Sequence, residues 1–235
     1  MKNRDEEILY HLSQCNLLTR DHIAELTGRD DSWLYESLNR MVRQKKIYCK
    51  DRGRWLPRVY ARYDISKRES FDHDLSLADL YTRTFLSRIL LDWSQPKQKL
   101  EDDLNQDCNM LIQAGERELD YRVEYETGKN SWNHVVEVFK RYIKIREEEK
   151  IHALFILRDE SRKKLLGYVE RAKQLLEANR YPTYRLDEPS THKLFLFVLQ
   201  DEYMRNPTAE ICTVPGHSKR YSISPHLIKQ SANSK

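Results

Sequence analysis

A chain of 235 residues, 39% apolar and 33% charged, is long enough for one large or two small domains, and it holds no run of about 18 apolar residues of the kind that spans a bilayer. Its four cysteines are far apart with no CxxC pair and its eight histidines form no HExxH motif, so neither a disulfide framework nor a zinc site is expected. The opening MKNRDEEILYHL is polar and acidic where a signal peptide would be apolar, and a cytoplasmic location is expected.

EEILYHLSQCN places Ile8, Leu9 and Leu12 on one helical face. In LLTRDHIAELTGRD, Thr19 is placed to cap a short helix that buries Ile23 and Leu26 and ends at Gly28. A third helix follows Asp30 and Asp31. Its inner face carries Leu34, Leu38, Met41 and Val42, and its outer face Trp33, Tyr35, Glu36, Asn39, Arg40 and Arg43. KKIYCK and RWLPRVYARYD then alternate like strands on either side of DRGR, a turn centred on Gly53. Three short helices and a hairpin predict a winged helix-turn-helix over residues 1–70, with the third helix reading bases in the major groove and the hairpin gripping the backbone.

Charge supports that expectation. The whole chain carries a net +4, but from Arg40 to Arg68 eleven Lys/Arg face two acids, a net of +9. Such a block suits a polyanion. The residues expected on double-stranded DNA are Trp33, Tyr35, Asn39, Arg40, Arg43, Lys45, Lys46, Arg52, Arg54 and Arg58, with Arg52 and Arg54 at the wing tip.

Residues 63–71 read as a polar linker, and DLSLADLYTRTFLSRILLDW as a strong helix that Asp72 or Asp74 can cap. The winged-helix pattern, followed by His73-Asp74-Leu75 and Ala78-Asp79, resembles the replication-relaxation family of bacterial plasmids and integrative elements. That family continues with a PD dipeptide before a strand, an E-x-D and GT at a strand end, and a helix ending in RY. Here these are Gln106-Asp107, Glu124-Tyr125-Glu126-Thr127-Gly128 and Lys140-Arg141-Tyr142. The resemblance spans roughly residues 5–160. It implies a DNA-associated role in replication, transfer or transcriptional control of a mobile element, and a second domain of the restriction-endonuclease-like type.

The residues of that second domain, 71–230, read independently as α/β. CNMLIQA and ELDYRVEYE are strands joined by GERE. SWNHVVEVFKRYIKIREEEK is a helix, IHALFIL a buried strand, SRKKLLGYVERAKQLLEANR a helix and KLFLFVLQ a last strong strand. TAEICTV can add an edge strand, and the final residues are expected to be disordered. The fold class is thus α/β (α+β): a winged helix followed by a mixed-sheet, endonuclease-like domain, with the helix over 75–92 packed beside the second sheet.

Asp107 and Glu124 can converge on Mg²⁺, a hard cation that prefers oxygen ligands. Nucleases of this type place a lysine where this chain has Glu126, and Lys129 or Lys140 would have to substitute. An added carboxylate repels the phosphate. The expectation is therefore a DNA-binding protein that needs no cofactor, with Mg²⁺ required only if the alternative, a nicking endonuclease using Asp107, Glu124, Glu126 and Lys140, holds. A further alternative is an adaptor for a relaxase or replication initiator. The blandest reading of Glu124 and Glu126 is two solvated acids on an edge strand. Exposed apolar positions near Trp93 and Trp132 would admit a homodimer, and no membrane partner is expected.

Overall fold

A computed structural model describes residues 4–30, 32–68, 71–95, 106–114, 116–146, 152–158, 162–178, 195–205, 207 and 212–213. It is a mixed α and β structure that divides into two compact units, Met1–Lys97 and Gln98–Lys235. Among the described residues no helix is long and apolar enough to cross a membrane.

The first unit opens with α1 (Arg4–Gln14), β1 (Leu18–Thr19), α2 (Arg20–Thr27) and α3 (Ser32–Arg43), followed by β2 (Tyr48–Lys50) and β3 (Val59–Ala61). The three strands form an antiparallel sheet in the order β1-β3-β2, with Leu18 opposite Tyr60 and Cys49 opposite Tyr60 on the other side. Thr19 caps α2 as expected. Its hydroxyl accepts from His22 N–H at 3.2 Å, and the His22 ring accepts from Thr19 N–H at 3.2 Å, a reciprocal capping box. Gly28 ends the helix in the left-handed conformation (φ 66°) that glycine adopts without strain. Ile8, Leu12, Ile23, Leu34, Leu38 and Met41 are buried.

The stretch expected to be a linker is instead part of the packing. Ile65 and Phe71 are buried with Leu17, Val59 and Ala61, because apolar side chains within an otherwise polar stretch gain most by covering the sheet. Helix α4 (Asp72–Leu86) is shorter than expected. The chain turns at Ser87, Arg88 takes a left-handed conformation (φ 57°), and β4 (Leu90–Ser94) follows. Neither Asp72 nor Asp74 caps α4: Phe71 occupies the cap position, without a side-chain bond.

Asp74 is buried and ties the unit together. Its carboxylate accepts from Asn16 Nδ2 and Gln95 Nε2, each at 3.1 Å, and from Arg68. Asp79 accepts from the far nitrogen of the capping histidine, His22, at 2.7 Å. His11 shares a 2.8 Å bond with the Tyr81 hydroxyl, and burial lowers its pKa to about 4. These bonds place α4 with α1 and α2, so the division of the chain lies between 97 and 98 rather than at the expected 70/71. Trp93 is buried edge-on to Tyr81 and offers no exposed apolar surface.

In the second unit the strands run in the order β5-β6-β7-β8-β9, formed by Cys108–Ala114, Arg117–Glu126, His152–Leu157, Phe195–Leu199 and Cys212–Thr213. β5 and β6 are an antiparallel hairpin, β7 and β8 lie parallel to β6, and β9 returns antiparallel. Helices α5 (Trp132–Arg146) and α6 (Arg162–Ala178) make the crossovers, and α7 (Gln200–Arg205) follows β8. β7 and β8 are apolar on both faces, as interior parallel strands are. Ala153, Phe155, Leu157, Phe195 and Phe197 pack against α5 and α6 around Phe139, whose ring lies 5.0 Å from both Phe155 and Phe195. The expected C-terminal disorder lies outside the described residues.

Candidate functional site

Two groups of the expected site residues can be placed, one in each unit. In the first unit, α3 has a strongly two-sided sequence. Leu34, Leu38 and Met41 are buried, whereas Tyr35, Arg40 and Arg43 are exposed. Asn39 is half-buried, and its carbonyl accepts from Arg43 Nε at 3.4 Å. Trp33 is half-buried beneath the Arg29 guanidinium, 5.2 Å from its ring centre. Arg40 turns toward α1 and pairs with Asp5 at 2.7 Å, so its charge is partly spent inside the protein.

Past α3 the backbone bends sharply. Lys45 takes a left-handed conformation (φ 55°) and Lys46 N–H bonds back to the Met41 carbonyl at 3.0 Å, leaving both lysine side chains exposed.

The loop between β2 and β3 is longer than a tight turn. Asp51 orders it, accepting from Gly53 N–H at 2.9 Å and from Arg58 Nε at 3.4 Å. These bonds hold the Asp51 carboxyl below its ordinary pKa. Arg54 and Arg58 are exposed there. Arg52 is not at the tip. Its side chain is only 12% exposed, lies over the Phe71 ring at 5.8 Å and approaches Asp72 at 3.5 Å. Lys50 is likewise drawn in, donating to the Ser66 and Arg68 carbonyls. The charge block of the sequence thus separates into an inner set that staples the segment and an exposed outer set that includes Arg43, Lys45, Lys46, Arg54 and Arg58.

In the second unit Asp107, Glu124 and Glu126 gather at one end of the β5–β6 pair. Asp107 precedes β5 and accepts from Tyr125 N–H at 2.7 Å. β6 lies between β5 and β7, so the acids are not on an edge strand. Register sets Glu124 opposite Phe155 and Glu126 opposite Leu157, on the face that α5 and α6 cover. Glu124 accepts from the Tyr142 hydroxyl of α5 at 2.7 Å. Glu126, 3% exposed, accepts from Asn130 Nδ2 at 2.9 Å and from the Tyr168 hydroxyl of α6 at 3.2 Å. Burial pushes both carboxyl pKa values up, and the neighbouring Asp107 charge pushes them further the same way. On the opposite face Tyr125 reaches Gln200 of α7 at 2.6 Å.

The tyrosines and Asn130 were not legible as site residues. Tyr142 and Tyr168 fall at inward helical positions and read as core. The available signal was chemical: a buried tyrosine hydroxyl needs a partner, and the acids two apart on β6 supply it.

Chemically, this arrangement stores protonatable carboxyls under tyrosine donors. Lys140, the candidate that would have to substitute for the missing lysine, is exposed and pairs with Glu137 at 2.8 Å. Lys129 is exposed on the loop after β6. Lys164 of α6 donates to the Gly128 carbonyl in that same loop. Among the described residues no group of three or more His, Cys, Asp or Glu is arranged to hold a metal ion.

No protein-family profile and no curated protein matches this sequence. Among solved structures the chain is similar to the restriction endonuclease FokI, at 11% identity and a TM-score of 0.33. The likeness covers 87% of this chain and 45% of that one, so this chain spans less than half the length of that protein. Likeness of that degree assigns no activity to this chain.

Proposed function

We propose that the chain is a sequence-specific double-stranded DNA-binding protein serving replication, transfer or transcriptional control of a mobile element. In this reading its first unit is a winged helix and its second an endonuclease-like sheet used for binding or assembly. The observation that carries the reading is the outer cationic set. Arg43, Lys45, Lys46, Arg54 and Arg58 project from the end of α3 and the β2–β3 loop of a unit ordered α1-β1-α2-α3-β2-β3 with sheet order β1-β3-β2. That arrangement offers a helix to a groove and a loop to the adjacent backbone.

Lys45 sharpens the test. A side chain in the left-handed region costs roughly 1–2 kcal/mol that glycine avoids, so Lys45→Gly is expected to raise stability by about 1 kcal/mol. If Lys45 contacts a phosphate, the same change weakens DNA binding and makes the log–log salt slope shallower by about one. Anisotropy titrations of a duplex at several salt concentrations, with urea unfolding in parallel, measure both. A flat salt response in the wild type sinks the DNA-binding reading.

The nicking alternative has the convergence of Asp107, Glu124 and Glu126 in its favour. Against it stand a tyrosine bond to each glutamate and the pairing of Lys140 with Glu137. It requires Mg²⁺-dependent nicking of supercoiled DNA that Asp107→Ala abolishes.

A further inference from the structure

The β2–β3 loop holds an indole out in solvent. Trp55 is 87% exposed, the most exposed of the large apolar side chains described, and Leu56 beside it is 50% exposed. An indole brings 150–250 Å² of surface whose burial is favourable, so one held outward on an ordered loop is informative. The loop is ordered: Asp51 binds Gly53 N–H and Arg58, Leu56 N–H reaches the Gly53 carbonyl at 3.3 Å, and Gly53 takes a positive φ of 108°. The Arg54 guanidinium lies 5.4 Å from the centre of the Trp55 ring.

We infer that Trp55 and Arg54 form a stacking platform for an unstacked nucleic-acid base, so that the loop recognises DNA at an opened step, bulge or fork. This inference rests on the proposal that the first unit binds DNA and names the form of DNA it prefers. An indole face carrying a guanidinium offers a base both π-stacking and cation–π attraction, and such stacking tolerates any sequence because every base has a π-face. The surroundings favour a polyanion over a protein surface. Arg43, Lys45, Lys46 and Arg58 are exposed on neighbouring segments, and the loop's own acid, Asp51, is engaged by Arg58 and Gly53 N–H. In intact duplex the base faces are stacked on one another. The platform therefore gains a partner only where the stack is open, and Leu56 is suited to act as the wedge that fills the gap left behind.

The test uses the full chain and two short duplexes of the same sequence at low salt. One is fully paired, and the other carries a short bulge containing 2-aminopurine. The wild type is expected to bind the bulged duplex about tenfold tighter, the scale of one base stack, and to quench the 2-aminopurine on binding. Trp55→Ala should equalise the two affinities and abolish the quenching, whereas Trp55→Phe should retain part of both. Arg43→Ala should weaken both duplexes alike and leave the preference intact. Far-UV circular dichroism checks that the exposed substitution leaves the fold unchanged. If Trp55→Ala keeps the preference, or the wild type binds paired DNA without any preference, the platform is overturned and DNA binding stands. If the wild type binds neither duplex, DNA binding itself is overturned and the platform with it.

Discussion

Glu126 is buried on the face of β6 that packs under α6, and its carboxyl pKa is raised above the ordinary 4.5 by that burial. The folded protein therefore holds this proton more tightly than the unfolded chain does. Stability from this group is fully present below about pH 4.5 and falls as pH rises through the higher folded value. Glu126→Gln keeps an oxygen that can accept from Asn130 and Tyr168 and removes the titration. The glutamine variant is expected to match the wild type in acid and exceed it in stability at neutral pH. Urea midpoints across a pH series measure the difference, and identical pH slopes for the two proteins would refute it. A carboxyl in this setting gives up its proton reluctantly, which also makes it a poor anchor for a divalent cation.

Helix α4 gives the clearest case of an element whose role its sequence concealed. Its apolar periodicity was legible, as were its acids, but the helical pattern does not say which body a helix packs against. Asp74 decides that through Asn16, Arg68 and Gln95, residues that lie far apart along the chain. Asp74→Ala leaves these donors facing a buried void and is expected to destabilise the first unit by about 2–4 kcal/mol. Unfolding followed by the fluorescence of Trp93, which packs on Tyr81 in the same unit, measures the loss. Local signals fared better: Thr19, Gly28 and the alternation in β6 marked their elements correctly, because capping and pleating are set by neighbours in sequence. Arg52 shows the limit. Its sequence position put it at the loop tip, and only the buried Phe71 ring and Asp72 draw it inward.

For the whole molecule, the order of helical and strand patterns gave the mixed α and β class and the +9 block marked a cationic region, while the separation of inner from outer charges within that block came from tertiary packing. In the second unit β7 and β8 were legible because interior parallel strands are continuous apolar runs, and β6 because its residues alternate. The burial of Glu126 and the half-burial of Glu124 were not, since alternation places two acids on one face without saying which helices cover it.

β8 is FLFVL, apolar at every position and buried throughout. Among the described residues its outer edge is paired by β9 at two positions, Leu196 with Thr213 and Phe197 with Cys212. A short apolar strand without charge or proline is the kind of segment that stacks with copies of itself once its edge is bare. Pairing with β9 covers that edge at these two positions. A chain ended at Pro207 lacks this pairing. It is expected to keep its helical circular dichroism yet associate with rising concentration, seen by light scattering, and a charged residue in place of Val198 should worsen folding rather than restore solubility, because that side chain is itself buried.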